Sequence, residues 1–267
     1  MIIRLPKGTR MTEALPVRKF GWTPDIPDRR DHIFSAPVPL LNTLPPSVNL
    51  TSLFKIPFDQ GQTSSCVGNA VAALVQAERG KKVGKKLSWT PSRLFIYWNA
   101  REMIGQTSVD AGSCIRDAIK SVANFGITSE INWPFSSPVP LKPAVAAYAD
   151  AEKYQALQYQ AVPQSLDQMR ACLANKNPFV IGVGVYASFM SQAVAKTGEV
   201  PLPGAGEALI GGHAVTVIGY DNSKQKFLLR NSWGKGWGNK GNFTLPYAYL
   251  TDPKLASDIW TITLLEA

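Results

Sequence analysis

Histidine and cysteine are scarce in this chain, at two and three among 267 residues. Two histidines exclude a multi-histidine zinc centre, and no other metal or organic cofactor is called for. Three cysteines exclude a disulfide-dense scaffold, and an odd count leaves at least one thiol free. Chemistry that needs an imidazole must use His32 or His213. No apolar run reaches the roughly 18 residues of a transmembrane helix, so no membrane is expected as a partner. Met1 to Phe20 carries basic residues but no continuous apolar stretch, so no secretory signal is expected. Repeats and low-complexity tracts are missing as well.

Acidic residues are outnumbered, 19 against 28 Lys+Arg, for a net charge of +9. The positives are scattered. Their densest run, Lys81, Lys82, Lys85 and Lys86, is broken by Val83-Gly84 and reads as a solvated turn after a helix. A nucleic-acid binder would show a basic stripe with aromatics interleaved, so none is expected here. The length suffices for one large domain or two modest ones with a real core.

Eight prolines crowd the stretch from Pro6 to Pro46. Proline fixes φ and removes a donor, so residues 1–48 are expected to form an extended, non-helical leader anchored by Phe20, Trp22 and Phe34. Residues 49–267 read as the folded domain. Val67, Ala70, Val71, Leu74 and Val75 give a helical period that starts at Cys66 and is expected to stop at Gly80. A second helix follows Thr90-Pro91, with the proline at its first position. A third spans about Ser113 to Phe125 and ends at Gly126. Ser165 and Gln168 form a capping-box pattern ahead of Met169 to Leu173. Later the period changes. Phe179 to Tyr186, His213 to Tyr220, Lys226 to Arg230, Gly241 to Leu245 and Ile259 to Leu264 read as strands. Helices first and strands later give an α+β fold of two packed lobes, mainly helical over about 60–160 and mainly β over about 161–267.

Cys66 stands at a helix start, where the positive end of the helix dipole favours the nucleophilic thiolate. Gln60 lies on the loop before it and can donate to an oxyanion formed at Cys66. The backbone N–H of Cys66 can be the second donor. His213 follows two glycines that allow another backbone to approach closely. Asn231, in Asn231-Ser232-Trp233-Gly234-Lys235-Gly236-Trp237-Gly238, ends a strand and can orient an imidazole, with Trp233 covering the bond. Taken singly, each of these residues also has a purely structural reading.

Together, Gln60, Cys66, His213 and Asn231-Ser232-Trp233-Gly234 resemble the papain family of cysteine peptidases, in the same order, over roughly residues 46–267. The resemblance implies a papain-like two-lobe fold, a helical lobe beside a β-barrel-like lobe, with the active-site cleft between them. It implies a cysteine endopeptidase that forms a thioester acyl-enzyme and acts as a monomer on proteins or peptides. Protein inhibitors of cysteine peptidases are implied partners. Gln60 would be the oxyanion-hole amide. Asp110-Ala111-Gly112-Ser113 falls at the family's substrate-binding loop, with Gly112 expected to hydrogen-bond the substrate backbone. The pocket for the second residue before the cut would be walled by Gly182, Val185 and Gly211 and be roomy and uncharged. Gly212, Ser113 and Trp233 complete the expected substrate-binding set.

Some features depart from the family pattern. Thr63 and Asp110 stand where many members pair two cysteines. These departures, with Gly21-Trp22-Thr23-Pro24-Asp25 and Asp28-Arg29-Arg30-Asp31 upstream, resemble the bacterial, xylellain-like subgroup. Cys114 and Cys172 have no family role and are expected to be buried free thiols inside helices. The leader is too short and proline-rich for the family's helical prosegment. It is expected to lie on or near the cleft and restrain the enzyme as a zymogen. Two other readings stay open: a catalytically silent papain-like binding module, and an acyltransferase of transglutaminase type.

Overall fold

The computed structural model describes residues 18–83 and 89–265. Most of the stretch Met1 to Phe20, with the leader prolines Pro6 and Pro16, and Lys85 and Lys86 of the basic run lie outside the described residues.

Helix α2 (Cys66–Val83) is the central rod. Its side chains from Cys66 to Glu78 are buried all round, which fits a helix packed on several sides. It continues past Gly80, the expected stop, where a β-carbon would come within 3.2 Å of the Leu53 carbonyl. Helices α3 (Arg93–Glu102) and α4 (Ile115–Phe125) pack with it. The cap of α3 is Ser92, whose hydroxyl accepts from Phe95 N at 3.2 Å. Pro91 therefore lies just outside the helix rather than at its first position. Helix α4 ends at Gly126 as expected, and α5 (Val145–Ala151) closes the lobe.

The β-rich half is one antiparallel sheet in the order β2-β7-β3-β4-β5-β6. Its strands are β2 (Ala156–Ala161), β3 (Phe179–Tyr186), β4 (Leu209–Asp221), β5 (Lys226–Arg230), β6 (Asn242–Pro246) and β7 (Ala256–Leu265). Strand β1 (Ser47–Asn49) pairs with β4 at Gly219 to Asp221, beyond the last β3 partner, Val217. The sheet is open, with β2 and β6 at its edges, and does not close into a barrel. One face carries the core of Phe179, Phe227, Leu229 and Phe243. The other, through Val180, Ala214 and Ile262, packs on Val67, Val71 and Ile119 of α2 and α4. Each such side chain contributes roughly 1.5–3 kcal/mol when fully buried.

Helix α6 (Leu166–Ala174) starts at Ser165, but no capping box forms. Gln168 instead accepts from Ala36 N at 2.9 Å. That contact belongs to the leader, which is partly built into the fold. Phe34 is buried in the core, and His32 and Phe34 pair their backbones with Ala161. Helix α1 (Val38–Asn42) begins right after Pro37, against the expectation of a wholly non-helical stretch. Proline at a helix start is tolerated because its missing N–H has no intrahelical partner there. Short helices α7 (Gln192–Thr197) and α8 (Tyr247–Thr251) flank the sheet.

Candidate active site

Cys66 is the first residue of α2 and is fully buried. The backbone N–H groups of Ala214, Gly21, Val67 and Cys66 itself act on its sulfur. Burial outweighs them and pushes the thiol up to about 11. His213 precedes Ala214 on β4, and Ala214 lies in the same buried cluster as Cys66. His213 Nε2 lies 2.8 Å from Asn231 Oδ1. The β4–β5 register supplies this pair. Thr216 faces Arg230, and Asn231 follows directly. Burial lowers the imidazole to about 4, against the pull of Asn231, and the nearby Arg18 guanidinium adds to the lowering. Trp233 stacks on the His213 ring, with centroids 4.9 Å apart, and shields the bond to Asn231.

Gln60 is equally buried. Its Oε1 accepts from Ser232 Oγ at 2.7 Å, which turns the Nε2 donor outward. Ser232 also donates its N–H to Asn231 Oδ1 at 2.8 Å. One serine thus ties Gln60 to Asn231. It stands inside the Asn-Ser-Trp-Gly stretch, whose pattern gives no sign of this role.

Residues 18–25 run across this cluster. Gln60 Nε2 donates to the Lys19 carbonyl at 3.1 Å. Ser113 N donates to the Gly21 carbonyl at 2.8 Å, and Thr23 N donates to the Ser113 carbonyl at 3.2 Å. Trp22 N donates to the Gly212 carbonyl at 3.1 Å. The segment runs parallel to the loop at Ser113. Phe20 sets its edge against His213 and Trp233, and Arg18 pairs with Asp59 at 3.2 Å.

The expected substrate-binding residues separate into two groups. Ser113, not Gly112, makes the backbone pair. Gly112 donates its N–H to Tyr97 Oη at 2.9 Å. Its φ of +90° suits glycine, and a β-carbon there would overlap the Gly21 carbonyl. Gly182, Gly211 and Gly212 face Phe20 and Trp22, where β-carbons would collide with the aromatic rings. Val185 is fully buried in the cluster that also holds Trp233. Side chains alternate along β3, so Gly182 and Gly184 share one face with Ala214 and Gly212, while Val183 and Val185 share the other with His213 and Gly211.

Asp110 accepts from Ser64 N at 2.9 Å and from Tyr97 Oη at 2.8 Å. Arg101, buried, donates to the carbonyls of Thr107 and Val109 and fixes the same loop. Cys114 is the N-cap of α4 rather than part of its body, and is only half-buried. Cys172 is buried within α6, and all three cysteines are free.

Residues 54–257 match the description "Papain family cysteine protease". The chain is 32% identical over 270 residues to an uncharacterised peptidase C1-like protein of Acanthamoeba polyphaga mimivirus, covering 92% of this chain and 86% of that one. Xylellain, a cysteine protease from Xylella fastidiosa, superposes with a TM-score of 0.87 at 38% identity, over 94% of this chain and 98% of that one. Digestive procathepsin L 3 of Tenebrio molitor larval midgut shares the fold at a TM-score of 0.67 and 18% identity, over 83% and 71% of the two chains.

Proposed function

The chain belongs to the papain family of cysteine proteases, hydrolases whose substrates are proteins, and from that premise we propose an endopeptidase that works through Cys66 and is held as a zymogen by residues 18–25. The Cys66 thiolate attacks the scissile carbonyl carbon, and the C–N bond breaks as His213 gives its proton to the leaving amine. The resulting thioester is hydrolysed by a water that His213 deprotonates. Asn231 keeps the imidazole turned toward the sulfur. Gln60 Nε2 and the Cys66 N–H hold the oxyanion. Ser113, Gly112, Gly182, Gly211, Gly212 and Trp233 bound the substrate cleft.

The observation that carries this reading is the leader's own backbone. A peptide carbonyl, that of Lys19, already accepts from Gln60 Nε2. The same observation supports restraint, because a substrate carbonyl would need that donor. Phe34 sits in the core and β1 in the sheet, so cutting the leader away would disturb the fold. The test therefore keeps the full chain and compares it with Phe20→Ala/Trp22→Ala. Peptide cleavage and labelling of Cys66 by an epoxide affinity reagent should both rise in the double variant. Equal rates would remove the zymogen reading. No labelling in either chain would remove the nucleophile.

A further inference from the structure

A small cavity lies between α2 and β4, walled by Asn69 and Ala70 on the helix, Thr216 on the strand, and Arg230 and Asn231 at the end of β5. Its volume of about 10 Å³ admits one water-sized particle. Among the described residues, two buried donors on this wall lack a hydrogen-bond partner, Arg230 Nε and Asn231 Nδ2. The acceptors on the wall are already used. Asn69 Oδ1 accepts from Arg93 Nη1 at 3.2 Å, and the Ala70 carbonyl accepts from Thr216 Oγ1 at 3.1 Å. Asn231 Oδ1 serves His213 and Ser232 N. Arg230 is buried and donates Nη2 to the Lys55 carbonyl at 2.6 Å. Burial pushes its guanidinium down to about 10, with no carboxylate among the described residues acting against it. It is still a cation near neutrality, and a buried charge without a counter-charge is costly.

We infer that this cavity is a halide site, where chloride or bromide accepts from Arg230 Nε and Asn231 Nδ2 together. Both unpaired atoms are donors, so a particle that only accepts satisfies them. A water would bring two protons of its own to a wall whose acceptors are taken. The negative charge balances the guanidinium, and the small volume excludes sulfate, phosphate and carboxylates. The ion also has a task at the active site. By holding the Asn231 amide nitrogen it keeps Oδ1 turned toward His213, so Arg230 is a positioning residue that acts through the ion and Asn231. This effect on turnover rests on the peptidase reading above, whereas halide binding does not.

The test melts the full chain in sodium gluconate while chloride or bromide replaces gluconate at constant ionic strength. The thermal midpoint should rise and saturate, by about 3 °C at ten times the dissociation constant. Arg230→Gln should abolish the rise, and a rise that survives it would overturn the assignment. If that variant does not fold, the unaltered chain decides. Its crystals grown with bromide should show an anomalous-scattering peak between Arg230 and Asn231. A midpoint indifferent to the anion would overturn the site, and a bromide peak without the midpoint rise marks an adventitious ion only. Turnover is read on the full chain carrying Trp22→Ala. Its kcat should be several-fold higher in chloride than in gluconate, with KM unchanged. Equal kcat values would overturn the positioning role and leave the site. If no peptide is cleaved in either salt, the peptidase reading falls, and the midpoint still decides the halide site.

Discussion

With residues 18–25 in place, the thiol of Cys66 and the imidazole of His213 are both held neutral by burial. A thiol at about 11 holds little thiolate near neutrality, so alkylation of Cys66 by iodoacetamide should be slow in the full chain and quicken as pH rises toward that value. Phe20→Ala/Trp22→Ala should speed it at fixed pH by readmitting water, and mass spectrometry of the labelled peptide reads the difference. Gln60 has a separate role. Gln60→Ala should lower kcat by roughly 10²–10³ with KM little changed, the usual cost of one oxyanion donor. Ser232→Ala should give a smaller loss, because it frees the Gln60 amide to turn without deleting it. Hydrogen bonds join His213, Asn231 and Gln60 through Ser232, and the grouping of the first three was legible in the sequence from residue types and order. Ser232 was missed because its role is to orient two neighbours, which no spacing reveals.

At the scale of elements, the loop carrying Gly112 and Ser113 is held to the start of α2 by Asp110. Its carboxylate does by hydrogen bonds to Ser64 N and Tyr97 Oη what a disulfide does in other members. Asp110→Ala should destabilise the chain by about 2 kcal/mol, lower the thermal midpoint and speed hydrogen exchange at the Ser64 amide. Unchanged exchange there would show that Arg101 alone holds the loop. Long periodic elements, α2, α4, β3 and β5, were readable within a few residues because their pattern records which face is buried. Elements with no such record were not. Strand β2 is an edge with Leu157 and Gln158 exposed, and α1 and α5 are short and rich in proline or alanine neighbours. The Ser165/Gln168 pattern misled because Gln168 was taken up by the backbone of Ala36, a partner far away in sequence.

At the scale of the whole molecule, residues 18–25 lie against Ser113 and Gly212, and the proposed restraint by this segment should depend on pH. Asp25 of the leader approaches Asp258 of β7 while Trp260 Nε1 and Arg116 N donate to it. Burial, then the charge of Asp258, raises Asp25 from 3.8 to about 6. The docked state therefore holds this proton more tightly than the released one. The stabilisation is fully present below the free value and is lost as pH rises through about 6. The rate of the full chain relative to Trp22→Ala should accordingly increase as pH rises through that range, and Asp25→Asn should flatten the ratio. A ratio that falls instead would show that docking is not linked to this carboxyl. None of this could be read from the proline-rich leader, since contacts between a non-periodic arm and a distant strand leave no local pattern.

Nucleophilic cleavage by Cys66 can be tested by incubating an unfolded protein substrate with the full chain carrying Trp22→Ala, with and without Cys66→Ala, and mapping the products by mass spectrometry. Cleavage at internal peptide bonds that vanishes with Cys66→Ala is the predicted result. Cleavage that persists without the Cys66 sulfur would contradict it.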